Sequence, residues 1–566
     1  MTNARPEPSE SFDAWHPGVA SGIPPVWRDL ETLYRTECVT TSRAEVDADV
    51  SLTGLAPEQL TAFRPERLAL HELIVRITAE IAVPEGEMEE DFGKHFRQIA
   101  HTVLDRHIRP EMARIAAVHA DFLRRAEATA GALLERHLAP APPAGPPPRG
   151  SLLSRLLGRR APEPPARPAE EQDQAAVARF RALAEAADDP EQRALCNSLH
   201  KVLGAMLVTR GSLGTDLPLL QRLVCRHAAN RYGSRLVGQT IAPLIDAAIE
   251  REGLLRAPLR ERPVLFSLKG PSAAGKSSIR PMLKQAMADQ GLDAAGFVTV
   301  SPDIWRRLLL DFDSLGPAIK YAGQFTSREV MVIDAKLDRY IRDRANREKS
   351  IPDILVDRFR FDSFDSERVS RVLHQTYASH VDTMFMYFVI TPPEETVERG
   401  WRRALERGRY KSVEDFLAHS VEAYSGMPGL FFRWMALPRP IYRYVFLDNR
   451  VPKGRFPAVV ASGDQQCMTV FDPLVLVNIV RYQRTNIYAG RPEDVAAPAA
   501  DWGVAKNLAF IRQCLKLVPE VRFAGEDGAP FLAARRGVLT VVDADALERQ
   551  RQDPERAALF DALLAG

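Results

Sequence analysis

The chain has 566 residues, of which 45% are hydrophobic and 26% charged, and a formal net charge of +1. This is ordinary globular composition for roughly three or four domains, and the near-neutral balance favours neither nucleic acid nor an anionic membrane as partner. Cys38, Cys196, Cys225, Cys467 and Cys514 are widely spaced, odd in number and without a C-x-x-C pair. That argues against a disulfide framework or a structural zinc site and fits buried thiols in a reducing compartment. No apolar run has the length to span a bilayer, and MTNARPEPSESFDAWHPG has no signal-peptide core, so the cytoplasm is the expected location.

Residues 1–64 are punctuated by prolines and read as a loosely ordered arm. Residues 65–138 read as helical, because Leu70, Leu73, Ile74, Ile77 and Ile81, then Ile108, Met112, Ile115, Val118, Phe122 and Leu123, recur at helical spacing. His95, His101, His107 and His119 do not form an H-E-x-x-H pair, so they read as surface or core histidines rather than zinc ligands. Residues 139–170 contain APAPPAGPPPRG and APEPPARPAEE, an extended, solvated linker; the basic SLLSRLLGRR between them is too short to anchor anything alone. Helical periodicity returns over 171–257, through Val177, Phe180, Leu183, Leu195, Leu199, Leu203, Leu207 and Leu223.

From 258 the pattern alternates strand and helix, which predicts a parallel sheet with crossover helices. Val264–Leu268 is an apolar strand. It runs into Gly270, Pro271, Ser272, Ala273, Ala274, Gly275, Lys276, Ser277 and Ser278, a full G-x-x-x-x-G-K-[ST] match, and a helix over Ile279–Met287 follows. Glycines let backbone N–H groups close on phosphate oxygens, and the N-terminus of the next helix adds positive potential. Lys276 is placed to reach β/γ phosphates and the Ser277 hydroxyl to hold Mg²⁺, so ATP with Mg²⁺ is the expected ligand.

A second strand, Gly296–Val300, ends in Ser301-Pro302-Asp303 before IWRRLLLDF. A carboxylate at the C-terminal edge of a parallel strand can accept a proton from an attacking hydroxyl; the same position also suits a helix N-cap. A third strand, Ile354–Val356, ends at Asp357, which can serve Mg²⁺ through water, line a substrate pocket or make a structural salt bridge. The fourth, Phe385–Ile390, precedes a helix carrying Arg399, Arg402, Arg403, Arg407 and Arg409 among glutamates. Arginines beside a phosphate loop suit a lid over a transferring phosphoryl group, and Arg399 and Arg409 are the choices for that role. A fifth strand, Tyr444–Leu447, ends in Asp448-Asn449 and is expected to close the sheet.

This set, in this order, resembles the zeta-toxin-like P-loop kinases. The matching pieces are GPSAAGKSS, VSPDIWRRLL, FTSREVMVIDAKLDRYI, ILVDRFRFDS, TVERGWRRALERGR and VFLDN, spanning roughly 260–475. The resemblance implies an α/β P-loop kinase domain over 258–475; helical periodicity sets a largely α-helical N-terminal region before it, and short strand and helix signals make 476–566 a mixed α/β extension. It implies transfer of the γ-phosphate of ATP to a hydroxyl of a small-molecule, nucleotide or nucleotide-sugar acceptor; some members phosphorylate UDP-activated amino sugars. Carried over, Lys276 holds phosphates, Ser277 holds Mg²⁺, Asp303 is the base, Glu329 contacts substrate, and Arg399 and Arg409 belong to the lid. The chain departs from the family at Arg358-Phe359-Arg360-Phe361, where a small Gly/Thr turn is usual, which alters the substrate pocket. The helical half is also additional; it reads as a self-inhibiting cap, a platform for a protein partner or an export module. The alternative function is an NTP-binding switch, or a non-catalytic module acting through protein partners.

Overall fold

The computed structural model describes residues 12–138, 169–289, 292–358, 377–496 and 498–565. The proline-rich stretch 139–168 and Phe359, Arg360 and Phe361 lie outside the described residues. The chain divides into two compact units. One comprises Asp29–Leu73 and Val103–Ala247; the other comprises Met1–Arg28, Ile74–Thr102 and Ala248–Gly566. The boundary drawn at 257/258 is therefore crossed, because 74–102 belongs with the phosphate-loop residues.

The first unit is helical. Its elements are α1 (Arg43–Thr53), the start of α2 (Pro65–Glu80), and, beyond α3 (Asp91–Val103) of the other unit, α4 (Met112–Leu138), α5 (Ala169–Ala186), α6 (Pro190–Arg210), α7 (Leu217–Ala228) and most of α8 (Ser234–Arg251). Sequence punctuates these helices. Asp189 caps α6 by accepting from the Glu191 and Gln192 N–H groups, Pro190 fills its first position, and Gly211 ends it in the left-handed region. Phe122, Phe180, Leu199, Val202, Leu220 and Leu223 meet in its core. Phe122, Phe180, Leu199 and Leu223 are among the apolar positions that the helical spacing picks out.

The second unit is built on one sheet, ordered β10-β9-β8-β7-β6-β5-β4-β1-β3-β2 among the described residues. Its first five strands are β1 (Val264–Lys269), β2 (Val298–Val300), β3 (Ile354–Val356), β4 (Thr383–Ile390) and β5 (Ile441–Asp448), all parallel. Between them lie α9 (Lys276–Asp289), α10 (Ser327–Glu348), α11 (Pro393–Arg407) and α12 (Val413–Met435). The expectation that the fifth strand closes the sheet is corrected. β6 (Ala458–Asp464) pairs antiparallel with β5, and β7 (Cys467–Val470), β8 (Glu520–Ala524), β9 (Pro530–Arg535) and β10 (Val538–Val541) continue it. Residues 476–566 thus extend the same sheet; a backbone ladder can be joined by any strand whose alternation fits, and no sequence feature marks its neighbour.

Alternation along β4 sorts the two faces. Phe385 and Tyr387 lie with Phe266 of β1, whose ring stacks on Phe385 at 4.7 Å, against a core with Ile279 and Leu283 of α9. Phe388 points the other way, to Phe431 of α12, which also touches Tyr444 and Phe446. Burying a ring of this size contributes about 2–3 kcal/mol. Both faces of the parallel strands are therefore packed, which leaves their C-terminal edge as the place for chemistry.

Candidate active site

The chain leaves β1 for β2, then returns through β3 to β4 and β5 on the other side, so the switch in direction falls beside β1. In open α/β sheets ligands bind at that point, outside the carboxyl ends of the strands. Residues 270–275 form the loop there, and α9 starts at Lys276. The backbone explains the motif. Gly275 has φ +90°, and a Cβ on it would lie 2.3 Å from Asn449 Nδ2; a Cβ on Gly270 would meet the Val389 carbonyl at 2.8 Å. Ala273 also takes a positive φ of 61°, a strain of about 1–2 kcal/mol that the loop's bracing sustains. That bracing comes from the ends of β4 and β5. Asn449 Nδ2 donates to the Ala274 carbonyl at 2.6 Å, Thr391 Oγ1 donates to it at 3.3 Å, and the Tyr424 hydroxyl holds Thr391 through both its N–H and its C=O.

Lys276 is 8% exposed and donates to the Gly270 and Pro271 carbonyls, each at 2.9 Å. Burial lowers its pKa, against the pull of Asp357 and Asp303, and Arg403 and Arg409 add to the lowering. The Ser277 hydroxyl donates to Asp357 Oδ2 at 3.0 Å, and Arg280 Nη1 lies 3.6 Å from the same oxygen. A serine hydroxyl and one carboxylate are hard oxygen donors of the kind Mg²⁺ takes when phosphates complete its shell. The pair therefore fits the metal. Among the described residues there is no cluster of three or more His, Cys, Asp or Glu able to hold a metal unaided.

Asp303 lies in the 3-10 turn Pro302–Trp305 that follows β2, within the turn rather than at its N-cap, which is Ser301. Its carboxylate meets Arg409 Nη2 at 2.7 Å and Arg306 Nε at 3.1 Å. Desolvation pushes this carboxyl up, but the two arginines outweigh it and hold it far below the usual carboxylate range. Arg306 is itself fixed by the Gly323 carbonyl (2.6 Å) and the Thr326 hydroxyl (2.9 Å). Arg409 comes from the turn between α11 and α12, with Gly408 left-handed at the helix end and Ser412 capping the next. The same turn carries Lys411, and Arg407 is the last residue of α11. Lys411 Nζ lies 2.5 Å from His419 Nδ1. Burial lowers both pKa values, Lys411 well below the usual lysine range and His419 to about 3, so the imidazole is neutral.

The structure thus brings Lys276, Ser277, Asp357, Asp303 and Arg409 to one strand edge. Arg399 is placed differently. It pairs with Glu395 at 2.6 Å and donates to the Asn449 carbonyl at 2.6 Å, so it braces the residue that braces the loop. Glu329 is fully buried in the first turn of α10. Arg358 is turned toward α10, to Asp334 (3.0 Å), Asp338 (2.8 Å) and the Tyr377 hydroxyl (3.3 Å). Lys411, His419 and Glu89 lie at the candidate site outside any motif, and Arg306 lies within VSPDIWRRLL without having been singled out. Only Arg306 carries a local signal, its three-residue spacing from Asp303 on a helical turn.

The sheet order and the loop define a mixed α/β protein with a mostly parallel sheet and a phosphate loop at its switch point. No protein-family model matches the chain. The adenylate kinase of Kocuria rhizophila is 24% identical over 155 residues, which are 27% of this chain and 76% of that protein. That likeness implies a P-loop kinase-like fold. The chain also aligns with the crystal structure of AvrRxo1-ORF1:AvrRxo1-ORF2 with sulphate ions, at 16% identity and a TM-score of 0.30, over 49% of this chain and 81% of that one. For the native AvrRxo1-ORF1:-ORF2 complex the figures are 16%, 0.28, 58% and 84%. Among the described residues no helix is long and apolar enough to cross a membrane.

Proposed function

We propose that the chain is an ATP-dependent phosphotransferase of the zeta-toxin-like kind, moving a γ-phosphate onto a hydroxyl of a small-molecule, nucleotide or nucleotide-sugar acceptor. The observation that carries this reading is Asp303, held by Arg306 and Arg409 at the strand edge where Lys276 and the Ser277–Asp357 pair also lie. The distant likeness to an adenylate kinase supports it.

Lys276 would exchange its loop carbonyls for β/γ phosphate oxygens, at little cost because the loop already holds it. Ser277 and Asp357 would hold Mg²⁺, which supplies charge neutralisation on the phosphates when bound. Asp303 accepts the hydroxyl proton of the acceptor as its oxygen bonds to Pγ and the bond from Pγ to the β-bridging oxygen breaks, releasing ADP. A carboxylate this acidic is a weak base. In the loose transition state of phosphoryl transfer the proton leaves late, so its first task is to orient the hydroxyl. Arg409 and Arg403 add positive charge where the phosphoryl group passes.

The test is incubation with Mg·ATP labelled on the γ-phosphate and pooled nucleotide, nucleotide-sugar and metabolite extracts, with Lys276→Ala as control. Label in a new small molecule, lost in the control, supports the transferase. Free phosphate alone, or equal label with Lys276→Ala, refutes it.

A further inference from the structure

Residues 85–91 read EGEMEED, five carboxylates in seven residues. They lead into α3, which Asp91 opens, and belong to the same unit as the phosphate loop. One of them enters the site. Glu89 Oε2 accepts from the Ser278 hydroxyl at 2.7 Å, and Glu89 Oε1 meets Arg407 Nη1 at 2.9 Å. Glu90 takes the other Arg407 nitrogen at 3.3 Å. Ser278 is in the first turn of α9, where backbone N–H groups and the helix dipole favour an anion, and Arg407 ends the arginine-bearing helix. A side-chain carboxylate thus sits on groups suited to a phosphate.

The segment is mounted on the loop's own helix. Arg280, buried in α9, donates to Glu85 Oε1 at 2.9 Å and to the Glu89 carbonyl at 3.3 Å, and its guanidinium lies 4.6 Å from the Phe92 ring centroid. Lys284 Nζ adds a contact to Glu85 at 3.6 Å. The grip at Glu85, Phe92 and the Glu89 carbonyl holds the strap's backbone, while the Glu89 carboxylate depends on Ser278 and Arg407. That division suits a tethered plug: release of Glu89 leaves the anchors in place.

We propose that residues 85–91 form an internal competitor of nucleotide, in which the Glu89 carboxylate holds the anion position at the start of α9 and must be displaced when ATP binds. The inference rests on the nucleotide-binding part of the reading above. A site occupied internally for most of the time binds external ligand more weakly by the fraction of time it is open.

The experiment measures affinity of the full chain for a non-hydrolysable ATP analogue, in the wild type and in Glu89→Gln, which keeps the shape and removes the charge. Loss of a charge-assisted pair of this kind is expected to tighten binding about tenfold or more. Hydrogen exchange on the wild type supplies a readout that needs no variant: the amides of 85–91 should exchange faster at saturating analogue. Binding that Glu89→Gln leaves equal or weaker, or a segment no less protected when analogue is bound, overturns the inference while leaving nucleotide binding intact. Neither protein binding the analogue sinks the nucleotide reading and this inference with it.

Discussion

Asp303→Asn separates two roles that the geometry combines. The side chain is 47% exposed and faces Arg409 at 2.7 Å and Arg306 at 3.1 Å. At that exposure each ion pair contributes at most about 1 kcal/mol, so the fold should lose about 1–2 kcal/mol and a few degrees of melting temperature. Removal of a positioned proton acceptor costs about 10²–10⁴ in rate, or about 3–5 kcal/mol in the transition state. The second magnitude exceeds the first, so kinetics at 25 °C on folded protein can resolve it. The expected result is kcat at least about a hundredfold down, with ATP affinity within about threefold, since the carboxylate acts on the acceptor rather than the nucleotide. The pH profile gives a second check. A carboxyl depressed below the ordinary aspartate value of 3.8 stays ionised, and its contribution to stability is present above that value and lost only as pH falls further. Asp303 should therefore produce no acid limb in kcat between about pH 5 and 8. A variant within tenfold of wild-type kcat, or one whose ATP affinity falls as far as its rate, refutes the assignment and makes Asp303 an arginine clamp.

Gly275→Ala should abolish binding of nucleotide, measured by titration calorimetry, because its Cβ would stand 2.3 Å from Asn449 Nδ2 at a φ of +90°; wild-type affinity would show that the loop closes otherwise. Arg399→Ala should raise KM for ATP more than it lowers kcat, since Arg399 supports Asn449 behind the loop, whereas Arg409→Ala should lower kcat more; the reverse pattern in steady-state kinetics would exchange their roles. In the helical unit, burial drives the His227 pKa down to about 3 from 6.5. Ser198 donates its proton to the Ala194 carbonyl, so His227 Nδ1–H donates to Ser198 at 3.0 Å, and the imidazole is neutral. A base with a depressed folded pKa binds its proton more readily when unfolded, so stability should fall on acidification below 6.5, by about 2 kcal/mol at pH 5. Urea unfolding of wild type and His227→Gln across that range measures it, and parallel pH curves would refute it.

The phosphate loop, the five parallel strands and the arginine-bearing helix were legible from sequence because each is specified locally. A glycine spacing encodes a backbone path, an apolar run of four to eight residues encodes a strand, and 3.6-residue recurrence encodes a helix face. Asp303 and Asp357 could be singled out for the same reason, since Asp357 follows directly on β3 and Asp303 stands three residues beyond the end of β2. What each arginine touches was not legible. Arg399 and Arg409 are ten residues apart around a left-handed Gly408, and only the turn at that glycine sends one behind the loop and the other to Asp303. The reach of the sheet beyond β5 was decided in the same way, by backbone pairing that carries no side-chain signature. Glu89 is the extreme case. It stands 189 positions from Ser278 and 318 from Arg407, in a stretch that the sequence reads only as part of the helical region 65–138. Sequence determines which charges the chain carries and on which element each lies. Which opposite charge it meets is settled by packing, where desolvation makes a close ion pair favourable only at the few places the fold brings together.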